Sequence, residues 1–225
     1  MFEFLISLFI QKKCFSCQKL WHFFCPKCSG EIREYKPYCY ICKKYSDNFF
    51  VHNNCHAWFW LTQVIVLTRY RNKWIKKLLR HAKYYNKYSA YEDLICWHEK
   101  FFENYIEREN SILVPVPMHF LRKWKRWYNQ SDVIAQIMSK ICKIPVNKTI
   151  ITRSKYTKQQ SHLSQIQRMH NLENAFAAPK TKLDRETVIY LVDDVVSTGS
   201  TIATVAASLK EQWFKDVRAI ILASD

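Results

Sequence analysis

An α/β fold with a mostly parallel sheet, preceded by a small cysteine-rich module, is predicted by three features of the sequence. Seven of the nine cysteines fall before residue 56, six of them in three closely spaced pairs and the seventh beside a histidine. Beyond them, short apolar runs alternate with amphipathic stretches, the pattern of strands and helices wound around a parallel sheet. Near the end, VIYLVDDVVSTGST (Val188 to Thr201) sets two adjacent carboxylates between an apolar strand and a cluster of small hydroxyl residues. A length of 225 residues suits one main domain with a small accessory one, and domains over 1–60 and 61–225 are expected.

The opening MFEFLISLFI is apolar but has no basic n-region, and Lys12, Lys13 and Cys14 follow without a small-residue cleavage site, so no signal peptide is expected. The apolar stretch Ala57 to Leu67 is about half the length needed to span a bilayer. A soluble, cytoplasmic protein without a membrane span is the expectation. Within the cysteine-rich module the pairs are Cys14-x-x-Cys17, Cys25-x-x-Cys28, Cys39-x-x-Cys42 and the mixed His52-x-x-Cys55. Each tight turn aims two soft ligands at one point, and two turns together make a tetrahedral zinc site. Sequential pairing gives an all-cysteine site (Cys14, Cys17, Cys25, Cys28) and a mixed one (Cys39, Cys42, His52, Cys55). An interleaved pairing fits the same spacing. A disulfide framework is the alternative, but it needs an oxidising compartment that nothing else in the sequence supports. Two structural zinc ions in a double zinc-ribbon module are therefore expected. Cys96 and Cys142 sit in apolar helical surroundings and read as core residues.

The elements that follow alternate. Arg71 to Tyr88 has Ile75, Leu78, Leu79 and Ala82 at helical spacing on an otherwise basic helix, whose Lys73, Lys76, Lys77, Arg80 and Lys83 read first as a solvated face. A second helix is expected from Ala90 to Glu109, then a short buried strand, Ile112 to Pro117, ending in a rigid turn. The basic stretch HFLRKWKRWYNQ (His119 to Gln130) leads into an amphipathic helix from Ser131 to Cys142. Val188 to Val192 is a strand, and a helix beginning in the small-residue cluster runs to about Gln212. In a parallel sheet, ligands sit at the carboxyl ends of the strands, which is where Asp193 and Asp194 fall. Ser197, Thr198, Gly199, Ser200 and Thr201 at a helix entry form a phosphate cradle of backbone N–H groups and hydroxyls. Paired carboxylates just upstream can accept hydrogen bonds from a vicinal diol. A phosphate and a diol a few ångströms apart describe a ribose 5-phosphate. The formal net charge of +16 agrees with a polyanionic or phosphorylated partner without separating nucleic acid from metabolite.

The acidic pair and loop resemble the 5-phosphoribosyl-1-pyrophosphate (PRPP) motif of type I phosphoribosyltransferases. Four metal-ligand pairs, then VPVPMHFLRKWKRWYNQ, then RSKYTKQQSHLSQIQRMHNLENAF, then the acidic motif, in that order, resemble the ComF family of competence-associated proteins over nearly the whole chain. The resemblance implies a type I phosphoribosyltransferase-like domain in which Asp193 and Asp194 hold the ribose hydroxyls and Ser197 to Thr201 the 5-phosphate. The turn containing Val116 would face the pyrophosphate, helped by Arg122 or Arg126. Arg153, Gln160, Ser164, Arg168 and Asn171 would belong to a flap that closes over the site, and Mg²⁺ would arrive with the pyrophosphate. It further implies a PRPP-binding role in uptake or processing of single-stranded DNA during natural transformation, with a competence helicase as partner. An active phosphoribosyltransferase in nucleotide salvage, or one with an unidentified acceptor, is the alternative, and a zinc-ribbon adaptor with a vestigial transferase domain is a third reading.

Composition raises one further point. The chain has 2 glycines and 8 tryptophans, where average usage gives roughly sixteen glycines. The family's R-G-F-N-Q reads Arg126-Trp127-Tyr128-Asn129-Gln130, and the glycine after the motif helix reads Trp213. UGA codons read as glycine by the source but translated as tryptophan would account for both; Trp58, Trp60 and Trp74 are weaker cases of the same kind, and natural tryptophan at core or stacking positions is the alternative.

Overall fold

The computed structural model describes residues 12–20, 22–23, 25–30, 32, 36–84, 88–118, 128–153 and 175–225. Among the described residues there are two sheets: a two-stranded antiparallel pair, β3 (Thr152–Arg153) with β4 (Phe176–Ala177), and a central four-stranded sheet. The central sheet contains β1 (Gln63–Arg69), β2 (Ser111–Pro115), β5 (Val188–Val196) and β6 (Val217–Ser224), in the order β1-β6-β5-β2, every neighbouring pair parallel. All of β6 and all but the last residue of β1 are buried. Both faces of a parallel sheet are covered, so its strands read as near-continuous apolar runs. The apolar stretch before Leu67 is thus the approach to β1 and most of that strand. No helix among the described residues is long and apolar enough to cross a membrane.

Helix α1 (Lys73–Tyr84) buries Ile75, Leu78, Leu79 and Ala82, the stripe expected from spacing, while Lys73, Lys76, Lys77 and Arg80 are exposed. The expected single helix from Ala90 to Glu109 is instead two, α2 (Ser89–Trp97) and α3 (Glu99–Tyr105). The break is at His98, which is buried with φ −98° and ψ 14°, its Nδ1 2.7 Å from the Leu94 carbonyl oxygen. Helix α4 (Gln130–Cys142) ends at Lys143 in a left-handed cap and packs on β2 and β5. Cys142 is buried, as expected, and burial pushes its thiol up to about 11. Cys96 is a correction: its helical setting is right, but it lies on the exposed side of α2. Helix α5 (Ser200–Lys210) follows β5, and β6 closes the sheet.

Ahead of the sheet, one turn is used twice, twenty-five positions apart. Cys14 N–H donates to the Lys19 carbonyl (2.8 Å) and Gln18 N–H to the Cys14 carbonyl (2.9 Å); Cys39 N–H donates to Lys44 (2.9 Å) and Lys43 N–H to Cys39 (2.9 Å). Gln18 and Lys43 both take φ 61°. The first turn docks on the helices: Phe23 N–H donates to Asp93 of α2 (2.8 Å), and Phe15 lies 4.7 Å from His81 of α1. The second docks elsewhere, through Phe49 on Phe101 and Tyr105 of α3 and through Tyr40, which stacks on Phe59 (5.6 Å, 18°).

Candidate functional site

The carboxyl edge of the sheet gathers three stretches that are far apart in sequence. Sequence reading ends the motif strand at Val192; β5 runs to Val196 because β6 keeps pairing with it, Asp193 opposite Ile221 and Val195 opposite Ala223. The two carboxylates are therefore carried on a backbone fixed by a ladder. Val116, just past β2, donates its N–H to the Val192 carbonyl (3.0 Å), so the turn that follows β2 lies at the root of the acidic pair. Asn129 ties the same turn to α4, its Nδ2 donating to the Val116 carbonyl (3.1 Å) and to Asp132 Oδ1 (3.0 Å). Ser131, buried in the first turn of α4, donates its hydroxyl to Asp193 Oδ1 (2.9 Å). The Asp194 N–H donates to that same oxygen (2.9 Å), and Val195 N–H donates to Asp194 Oδ1 (2.7 Å).

The small-residue loop follows directly. Gly199 is the residue preceding α5, with φ 77° and ψ −5°, and the Ala203 N–H closes the first helical turn on its carbonyl (2.9 Å). Ser197 is exposed, Thr198 and Thr201 half-buried, and Thr198 Oγ1 lies 3.0 Å from Ser200 Oγ. A Cβ at position 199 would meet Phe59 at 3.0 and 3.1 Å and Tyr40 at 3.2 Å, so both the left-handed backbone and lack of space require glycine here. The arrangement offers two carboxylates on one side and, a few residues away, a helix start whose leading N–H groups have no intrahelical acceptor. Sequence reading did not single out Ser131, Asn129, Tyr40 or Phe59. The first two flank the motif glutamine, but nothing local marks Ser131 as the partner of Asp193, and the aromatic pair carries no local signal.

Arg153 sits on β3 opposite Phe176, its guanidinium 5.1 Å from that ring, and β4 packs against α5. The chain between Arg153 and Phe176 therefore leaves and returns at one place next to the loop helix. Arg122, Arg126, Trp127, Gln160, Ser164, Arg168 and Asn171 lie outside the described residues.

The metal-ligand residues form two groups, Cys14, Cys17, Cys25 and Cys28, and Cys39, Cys42, His52 and Cys55, with the ligand atoms of each within 4.8 Å of one another. The pairing is sequential; the interleaved alternative is excluded by position. All these cysteines are free thiols, and four soft ligands so placed are compatible with structural zinc. His52 presents Nδ1 to Cys42 Sγ (3.3 Å) while Nε2 meets the Tyr45 carbonyl (3.0 Å), an outer contact that fixes the ring. Burial pushes the Cys14 thiol up, but the backbone N–H groups of Cys17, Cys25 and Ser16 outweigh it and bring it down to about 6. For Cys39, burial is likewise outweighed by the N–H groups of Cys42, His52 and Ile41, and its pKa is lowered. At Cys14 and Cys39 backbone dipoles thus favour thiolate, the form that binds metal, whereas burial and the neighbouring thiols push Cys55 up to about 11, and at Cys28 the lowering Ser16 contact is outweighed by the same two causes.

Fold and site together define an α/β protein with two cysteine-type metal centres and an acidic pair and glycine loop at the carboxyl edge of a parallel sheet. The chain is 31% identical over 213 residues to competence protein F of Haemophilus influenzae, covering 91% of this chain and 87% of that protein. It belongs to the ComF family of competence-associated proteins. It is also 40% identical over 97 residues to DNA utilization protein YhgH of Escherichia coli K12, covering 43% of this chain and 42% of that protein. No family model matches the chain. Similar solved structures include glutamine PRPP amidotransferase from B. subtilis (17% identity, 60% of this chain and 26% of that one, TM-score 0.39) and adenine phosphoribosyltransferase from Leishmania tarentolae (12% identity, 72% and 91%, TM-score 0.40).

Proposed function

We propose that the protein binds PRPP with Mg²⁺ and uses it in support of uptake or processing of single-stranded DNA in natural transformation, working beside a competence helicase. The observation that carries the ligand is the convergence at one edge: Asp193 and Asp194 at the end of β5, the Val116 turn hydrogen-bonded to Val192, and the Gly199 loop opening α5. In this reading the carboxylates accept from the ribose 2- and 3-hydroxyls, and Ser131 keeps Asp193 aimed. Thr198, Ser200, Thr201 and the loop backbone hold the 5-phosphate, with Ser197 at the exposed lip. The Val116 turn faces the pyrophosphate, with Arg122 or Arg126 as its cationic partner and the segment beyond Arg153 as the flap. Magnesium supplies charge neutralisation of the pyrophosphate and needs few protein ligands.

The DNA side of the proposal is supported by the +16 charge and by family membership. The same intact acidic pair and loop would serve a transferase that moves the ribosyl phosphate to an acceptor. Calorimetry with PRPP and Mg²⁺, with single-stranded DNA, and with both tests the proposal. PRPP should bind saturably, and DNA should bind with strong salt dependence. Absence of PRPP binding contradicts the ligand assignment. Release of pyrophosphate from PRPP in the presence of DNA or a nucleobase would favour the transferase.

A further inference from the structure

We propose that the second metal centre holds the phosphate loop in shape, with Tyr40 and Phe59 as the positioning residues. Tyr40 lies inside the chelate turn between Cys39 and Cys42, and Phe59 follows Cys55 by four positions. Their rings stack, both are buried, and both touch the position where Gly199 lacks a side chain, at 3.0 to 3.2 Å from an ideal Cβ. The ammonium of Lys43, which ends the same turn, lies 4.2 Å from the Tyr40 ring centroid. The wall against which the loop is built is thus made of residues whose own backbone is set by ligands Cys39, Cys42 and Cys55. Among the described residues, the contacts of the first centre run instead to Asp93 and His81 on α2 and α1. Separate domains over 1–60 and 61–225 suggest that Cys39→Ser loosens the first sixty residues and spares PRPP binding; the expectation here is instead that the loop at Gly199 is loosened as well.

Loss of metal from the second centre frees Tyr40, the packing against Gly199 relaxes, and the left-handed turn that opens α5 loses its support. The inference concerns loop geometry and rests on the PRPP reading only for its consequence in ligand affinity. Hydrogen exchange of the Ala203 amide, whose N–H closes the first turn on the Gly199 carbonyl (2.9 Å), tests it without any ligand. Tyr40→Ala and Phe59→Leu, each retaining its zinc by metal analysis, should raise exchange there at least tenfold, while β6 stays protected. Tyr40→Phe, which keeps the ring, should exchange like the parent, and Cys42→Ser, which removes a ligand, should behave like Tyr40→Ala. Parental exchange in both Tyr40→Ala and Cys42→Ser, or a Tyr40→Phe as impaired as Tyr40→Ala, overturns the inference. A parent that fails to bind PRPP contradicts the functional reading and leaves this result standing.

We also infer, from left-handed backbone at exposed tryptophans in a chain with 2 glycines and 8 tryptophans, that positions 60 and 213 are glycines in the protein as its source makes it. Trp213 takes φ 68° just past α5 and is 80% exposed; Trp60 takes φ 44° and is 48% exposed. Neither indole is buried enough to repay a left-handed backbone, which an L side chain disfavours and glycine does not. Trp74, by contrast, lies in the first turn of α1 with its N–H on Asn72 Oδ1 (2.9 Å), an ordinary helix entry. Reading the two codons in the source DNA decides the matter: UGA at both is expected, and UGG at either overturns the inference. Independently, Trp213→Gly should raise Tm by roughly 2–4 °C, and an unchanged or lower Tm overturns the glycine assignment at that position.

Discussion

At the scale of single residues, the site is held by groups that each do one thing. Ser131 is the clearest: buried at the start of α4, it places one hydrogen bond on Asp193 across sixty-two positions of sequence. Ser131→Ala should weaken PRPP binding roughly tenfold, the value of one hydrogen bond to a charged group, with no change in zinc content; titration calorimetry reads it directly. Gly199→Ala meets both a φ of 77° and two aromatic rings at 3.0 to 3.2 Å, and should cost about 1–3 kcal/mol in urea unfolding. The acidic pair and the glycine were legible from sequence because strand, charge and small residues follow in one short run. Ser131 and the Tyr40 and Phe59 wall were not, since their partners lie at Asp193 and Gly199 and only the folded chain brings them together.

Among the elements, the sheet has two ends with different tasks. Opposite the site, Arg218 of β6 is buried and donates to Asp216 (2.5 and 3.0 Å), Glu107 (2.9 Å) and the Tyr190 hydroxyl of β5 (3.0 Å), while Thr62 donates to Asp216. This network fastens the amino ends of β5 and β6 to the approach to β2. Burial raises the Asp216 pKa, but the Arg218 and Thr62 contacts outweigh it and hold it below the ordinary carboxylate range. A lowered folded value means that the stabilisation is complete above about pH 4, the unfolded pKa, and is lost as pH falls through the folded one. Asp216→Ala should cost about 3 kcal/mol at pH 7, because it strips a buried cation of its main partner. In urea unfolding at a series of pH values, the gap between parent and variant should shrink toward pH 2. Strand β6 and its network went unread in the sequence, since a short apolar run carries no periodicity that separates strand from helix. The break at His98 was equally hidden, for it depends on a side chain turning back to the Leu94 carbonyl.

For the whole molecule, metal centres and sheet form one packed unit, the first centre against the helices and the second against the loop. Metal analysis of purified protein should return about two zinc ions, and mapped disulfides in place of zinc would contradict the assignment of both centres. The ligand spacing made these centres readable from sequence, because a Cys-x-x-Cys turn fixes its own geometry; their docking depends on aromatic contacts and was not. The central claim is that the carboxyl edge binds PRPP through the acidic pair, and calorimetry of the parent against Asp193→Ala/Asp194→Ala, with Mg²⁺ present, tests it most directly. Each lost carboxylate leaves a ribose hydroxyl unpaired, roughly 1–3 kcal/mol or about ten- to a hundredfold in affinity. Saturable binding by the parent and none detectable by the double variant are expected, with both chains showing the same circular dichroism and zinc content. Equal binding by the two proteins would contradict the claim.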